Sequence, residues 1–185
     1  YQILKDLSFR STFGYNTFHG LNKNFVLETY MIPKNYPNTT LSDGSTYNYN
    51  WVWENQLTYH KLIGNHDMTL MGAYTSDYFH RENFNANGSI IQTEYHDVLS
   101  KTEGSYTVAG GEATGTRISY LGRLTYSFKG KYILNANFRR DGSSKFSSAN
   151  RWGSFPSASI AWRISEEPFL KGIEQISNMK LRLSY

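Results

Sequence analysis

The 185-residue chain contains no cysteine. Disulfide scaffolds, thiolate metal sites and cysteine nucleophiles are excluded, as is a cysteine-linked lipid anchor within this stretch. No apolar run approaches the ~20 residues of a membrane-spanning helix. That removes helical membrane proteins and leaves barrels, whose strands need only about 9–11 residues with every second one apolar. No secretory leader opens the sequence, so an exported protein is expected to begin upstream of residue 1. Basic residues exceed acidic ones, 19 to 15, but they are scattered and form no basic helix or run. Nucleic acid is therefore not an expected partner.

Aromatic residues are abundant: 15 Tyr, 11 Phe and 4 Trp in a chain only 39% hydrophobic. Many rings in a polar sequence suit a half-wet sheet with aromatic girdles, a composition shared by lectin-like β-sandwiches. The periodicity is that of strands. Tyr120, Leu124, Tyr126 and Phe128 alternate with Ser119, Arg123, Thr125 and Ser127. After Lys129-Gly130-Lys131, Tyr132, Leu134, Ala136 and Phe138 alternate with Asn135, Asn137 and Arg139. Trp152, Pro156, Ala158, Ile160 and Trp162 then alternate with Ser157, Ser159 and Arg163. A side-chain period of two means strands. Pro156 lacks a ladder donor, so a bulge or irregular pairing is expected around it.

Earlier in the chain, residues 4–17, 46–62 and 66–79 show the same alternation, the last two joined by a Gly-Asn turn. Trp51 and Trp53 fall on the apolar side of the second. The closing residues alternate again through Met179, Leu181 and Leu183. Residues 18–45 and 79–115, rich in Asn, Gly and Thr, read as long loops, with turns at Pro33, Pro37 and Asp43-Gly44. Residues 165–177 read as a turn with one helical turn capped by Ser165. The sum is about seven strands whose connections alternate short and long, as in an up-and-down antiparallel barrel with short turns at one end. An odd count cannot close a bacterial outer-membrane barrel, so a segment of a larger one is expected.

Four pieces carry a resemblance: LGRLTYSFKGKYIL (121–134), NFRRDGSSKF (137–146), NRWGSFPSASIAWRISEEPFL (150–170) and ISNMKLRLSY (176–185). Together they resemble the SusC/RagA family of TonB-dependent outer-membrane transporters of Bacteroidetes. The hairpin at 51–72 resembles it more loosely. The resemblance implies an all-β transmembrane barrel of about 22 strands with a plugged lumen. It implies location in a Gram-negative outer membrane and import of glycans or peptides. It also implies a SusD-like surface lipoprotein over the mouth and energisation by TonB. The plug and the TonB box lie outside residues 1–185, which are then barrel wall and loops. No enzyme activity, cofactor or metal is expected: the five histidines lack ligand spacing, and no catalytic motif appears.

Candidate residues sort by face. Arg139, Arg140 and Asp141 are candidates for substrate or lid contact at the extracellular rim; the simpler reading is a polar turn ordered by a local Arg–Asp pair. Arg123, Asn135, Asn137 and Arg163 are expected to face the lumen, against water, plug or substrate. Trp51, Trp53, Tyr126, Phe128, Tyr132 and Trp162 are expected in the membrane girdle, in contact with lipid. The rival readings are a soluble carbohydrate-binding β-sandwich, which would bury the same rings against a second sheet, and a β-rich surface enzyme.

Overall fold

The computed structural model describes residues 1–30, 35–36, 38–91, 98–170 and 178–185. Its strands are β1 (Gln2–Leu4), β2 (Leu7–Val26), β3 (Thr29–Tyr30), β4 (Asn35–Tyr36), β5 (Thr40–Ile63) and β6 (His66–Ser89). They continue with β7 (Tyr106–Phe128), β8 (Tyr132–Ser143), β9 (Trp152–Arg163) and β10 (Lys180–Ser184). Eight of them form one sheet in the order β1-β2-β5-β6-β7-β8-β9-β10, and β3 pairs with β4 alone. Apart from the β3–β4 pair between β2 and β5, neighbours in the sheet are neighbours in sequence, the up-and-down order expected. The other sheet among the described residues is the two-stranded β3–β4 pair, too small to be the second layer of a sandwich.

Two short connections are tight because their backbones allow it. Gly64 sits at φ 58, and Lys129 and Gly130 sit at φ 52 and 66. Positive φ at both central residues makes Phe128-Lys129-Gly130-Lys131 the turn type whose twist matches a hairpin.

The stretches expected as long loops are largely strand. β2 runs on to Val26, β5 begins at Thr40, β6 continues to Ser89 and β7 begins at Tyr106. Asp43-Gly44 lies inside β5, where a Cβ on Gly44 would come within 2.7 Å of Asn22 Oδ1. Glycine there permits close approach and does not mark a turn. Gly115, at the end of the Gly-rich part of β7, lies beneath the ring of Phe79, which fills the space a side chain would take. The turns expected at Pro33 and Pro37 lie outside the described residues. So do residues 171–177 of the stretch 165–177 expected to hold one helical turn; at its start Ile164–Glu166 is a short 3-10 turn without a side-chain cap, and Ser165 Oγ instead donates to Met179 O at 3.4 Å.

Pro156 disturbs nothing. β8 and β9 pair without interruption from Tyr132↔Trp162 to Gly142↔Trp152, through Phe138↔Pro156. The reason is parity. Arg163 N donates across to the β8 side and Ala158 N to the β10 side. Residues of β9 with even numbers therefore point their N–H away from β8, and the donor Pro156 lacks is one β8 never needed.

The chain divides into two compact units. The first comprises Tyr1–Gly14, Val52–Asp77 and Thr116–Tyr185; the second comprises Tyr15–Trp51 and Tyr78–Gly115. In the first, β7 pairs with β8 from Phe128↔Tyr132 to Arg117↔Ser143. In the second, Thr39 closes a small core: its Oγ1 donates to Ile91 O at 2.6 Å and accepts from Ile91 N at 2.8 Å. Ile91 and Leu41 are buried beside it in sequence or register.

Candidate functional site

Cross-strand partners share a face, so the two registers sort the side chains of unit one. Arg117, Ser119 and Arg123 of β7 lie with Asn135, Asn137, Arg139 and Asp141 of β8 and with Ser157, Ser159 and Arg163 of β9. Leu121 and Ile133, out of pattern in the sequence, lie on this polar face too. The opposite face carries Tyr120, Leu124, Tyr126, Phe128, Tyr132, Leu134, Phe138, Ile160 and Trp162, joined by Leu181 and Leu183 of β10.

The polar face is laced together. Arg117 Nε donates to Asp77 Oδ2 at 2.8 Å. Arg139 Nε donates to both oxygens of Asp141 at 2.8 and 2.9 Å. Arg123 Nε donates to Asn137 Oδ1 at 2.8 Å, and Asn137 Nδ2 passes the chain on to Ser157 Oγ at 3.3 Å. Nearer the turns, His60 Nε2 meets Asp67 Oδ1 at 2.8 Å, and Lys61 pairs with Asp6. That lysine holds the Asp6 carboxyl, in the β1–β2 turn, below its ordinary value. A groove of about 290 Å³ runs between Glu54, Gln56, Thr75, Asp77, Arg117 and Arg139.

The apolar face is ordered by rings. Near the turns, Phe128 stacks on Tyr132 (6.3 Å) and Tyr132 on Trp162 (6.4 Å). His66 packs on Phe128 at 4.7 Å and meets the Tyr126 hydroxyl at 2.7 Å. A second row stands further along the strands: Tyr74 against Tyr120 (5.5 Å) and Tyr120 against Trp152 (6.0 Å). Between the rows the face is aliphatic and open, with Ile160 55% and Leu183 70% exposed. Trp53 is on this face as well, its Nε1 donating to Ser11 Oγ at 3.0 Å. Trp51, two residues earlier on β5, belongs to unit two and stacks on Tyr78 at 6.1 Å.

The structure separates the three rim candidates. Arg139 and Asp141 share the polar face, inside β8 and not in a turn. Arg140 points the other way, its guanidinium 5.3 Å from the Trp152 ring centroid.

Two groupings were not evident in the sequence. Glu167, buried at the β9–β10 connection, accepts from Tyr132 Oη at 2.8 Å, Trp162 Nε1 at 3.1 Å and Lys131 Nζ at 3.1 Å. These three donors hold its carboxyl below the ordinary glutamate value. In the sequence Glu167 belongs to the stretch 165–177, which reads as a turn with one helical turn. In unit two, Tyr15, Tyr47, Tyr49, Tyr78 and His80 form a continuous ladder, with Tyr49 and His80 stacked at 4.9 Å. Glu82 and Glu112 lie 3.8 and 3.5 Å from the His80 ring nitrogens.

No family model matches the chain. It is 33% identical over 188 residues to the TonB-dependent receptor SusC of Bacteroides thetaiotaomicron, spanning 100% of this chain and 18% of that protein. A TonB-dependent receptor of Formosa agariphila is 33% identical over 196 residues, again across the whole chain and 19% of the relative. These alignments include residues 18–45 and 79–115, which the resemblance read from the sequence did not reach. Among solved structures, the RagAB peptide transporter superposes with a TM-score of 0.82 at 18% identity, over 98% of this chain and 20% of that one. The RagAB peptide importer in its closed-closed state gives 0.84 at 17% identity. The chain thus spans about a fifth of the length of the proteins it matches. A two-faced, up-and-down sheet and similarity to these receptors over the whole of this chain agree: the chain is a SusC/RagA-like β-barrel segment.

Proposed function

We propose that this chain is wall and loop of an outer-membrane, TonB-dependent importer of glycans or peptides that works with a SusD-like surface lipoprotein. The observation that carries the reading is the division of unit one into a ring-rimmed apolar face and a hydrogen-bonded polar face on the same strands. In such a barrel the apolar face meets lipid and the polar face lines the lumen. Spacing supports this. Trp152 and Trp162 lie about 33 Å apart along β9 at about 3.3 Å per residue. At a strand tilt of about 40° that is about 25 Å along the membrane normal, the height of the apolar band of such barrels.

Arg123, Asn135, Asn137 and Arg163 then face the lumen, and Trp51, Trp53, Tyr126, Phe128, Tyr132 and Trp162 serve as girdle. Arg139 and Asp141 are assigned to the lumen wall. Arg140, over Trp152, is assigned to the outer rim. TonB would act on the importer through parts other than this wall, and energy coupling would open the plug, with no chemical step in this segment.

The test is extraction of the native outer membrane with detergent, purification of the species containing this chain, and mass spectrometry of what accompanies it. A much longer parent chain with a lipoprotein partner supports the importer. A water-soluble 21.3 kDa species without a partner overturns it.

A further inference from the structure

On the apolar face of unit one a furrow of about 500 Å³ crosses the turn end of β7 to β10. Its lining includes Leu134 and Ile160 of β8 and β9, Leu181 and Leu183 of β10, and Tyr132 and Trp162 at the turn end. The volume falls within the roughly 300–1,000 Å³ of small-molecule sites. The lining is carbon almost throughout, because the polar atoms of the two end rings are already spent on Glu167. Glu167 is thus a positioning residue: it fixes the stacked Tyr132–Trp162 pair that walls the furrow.

A cation stands at the same rim. Lys129 adopts φ 52, a left-handed conformation uncommon for a long side chain and ordinarily filled by Asn, Asp or Gly in this turn. Its ammonium lies 5.4 Å from the Phe128 ring centroid, and Phe128 stacks on Tyr132. Lys131 is neutralised by Glu167, whereas Lys129 has no ion pair among the described residues. An apolar furrow ending beside an uncompensated cation has the polarity of an amphiphile with an anionic head.

We propose that this furrow holds one phospholipid, its acyl chain over Leu134 and Ile160 and its phosphate on Lys129. The proposal rests on the reading that this face meets lipid. A peptide fits less well, since the furrow offers almost no free hydrogen-bonding groups for a backbone.

The test is native mass spectrometry of the full-length parent protein, released from mild detergent with added phosphatidylglycerol. The wild type is expected to keep one phospholipid under activation that strips the others. Ile160→Trp fills the furrow and should lose it. Lys129→Asn keeps a turn-compatible residue, removes the charge, and should weaken retention roughly fivefold. Asn135→Ser, on the other face, should change nothing. Heat-modified gel mobility reports that each variant is folded, and Lys129→Asn remains informative if Ile160→Trp is not. Equal retention by the folded variants and wild type overturns the lipid site alone. A parent that stays soluble without detergent overturns the membrane reading first, before any lipid is counted.

Discussion

The two faces of β7, β8 and β9 come from the same three strands and are held by different forces. On one, Arg117–Asp77 and Arg123–Asn137 tie neighbouring strands through charged or amide groups, and Arg139–Asp141 braces β8 along its own length. On the other, rings cluster at two levels and leave aliphatic side chains uncovered between them. A sheet in water would bury that second face. A sheet in lipid has no reason to, because the hydrocarbon satisfies it. Parity along a strand therefore encodes solvent: a shift of one residue exchanges lipid for water.

The sharpest way to break this comparison is to put one charge on each face. Leu134→Arg, two residues inside the Tyr132 row, is expected to cost about 1–2 kcal/mol, between the values for a cation at the interface and at the bilayer midplane. Asn135→Arg, the next residue, should stay within about 0.5 kcal/mol. Denaturant titration of the parent protein in lipid vesicles measures both.

Glu167→Gln comes next. It leaves Lys131 without its counter-charge and loosens Tyr132 and Trp162, so the thermal midpoint should fall and tryptophan emission should shift. The effect depends on pH with a definite sign. The folded carboxyl titrates below its ordinary value of 4.5. Its stabilisation is therefore present above that value and lost as pH falls through the folded pKa. Wild type and Glu167→Gln should converge in acid and diverge toward neutrality; parallel pH–stability curves would contradict the assignment.

Gly130→Ala tests the turn that sets the register of both faces. An alanine at φ 66 should cost about 1–2 kcal/mol, read by the same titration. The smallest effect belongs to the polar face. A double-mutant cycle on Arg117 and Asp77, with the arginine side chain 57% exposed, should give a coupling of about 0.2–1 kcal/mol.

The sequence made unit one legible because there the two faces differ in chemistry. Period two in Tyr120, Leu124, Tyr126 and Phe128 puts these four side chains on one face, as the β7–β8 register does, and Lys129-Gly130 marks the turn. Residues 18–45 and 79–115, most of unit two, read as loop although their described residues are largely strand, since backbone ladders do not require hydrophobic alternation. Gly44, expected in a turn, and Gly115, at the end of an expected loop, serve close packing beneath Asn22 and Phe79. Pro156 looked like a defect, and only the pairing shows that its missing donor faces away from β8. Arg140 could have been separated from Arg139 and Asp141 by parity alone. The Glu167 cluster could not have been found so, because it joins Lys131 and Tyr132 to a residue in a connection whose path no periodicity gives.

The central claim is that adjacent residues of β8 face different solvents. The absence of cysteine makes single labels in this segment unambiguous. Spin labels at Leu134→Cys and Asn135→Cys, in the parent protein reconstituted in bilayers, should respond oppositely to apolar oxygen and to a water-soluble nickel relaxer. Oxygen should dominate at 134 and nickel at 135. Nickel dominance at both positions, or exclusion of both relaxers at 134, would contradict a lipid-facing wall.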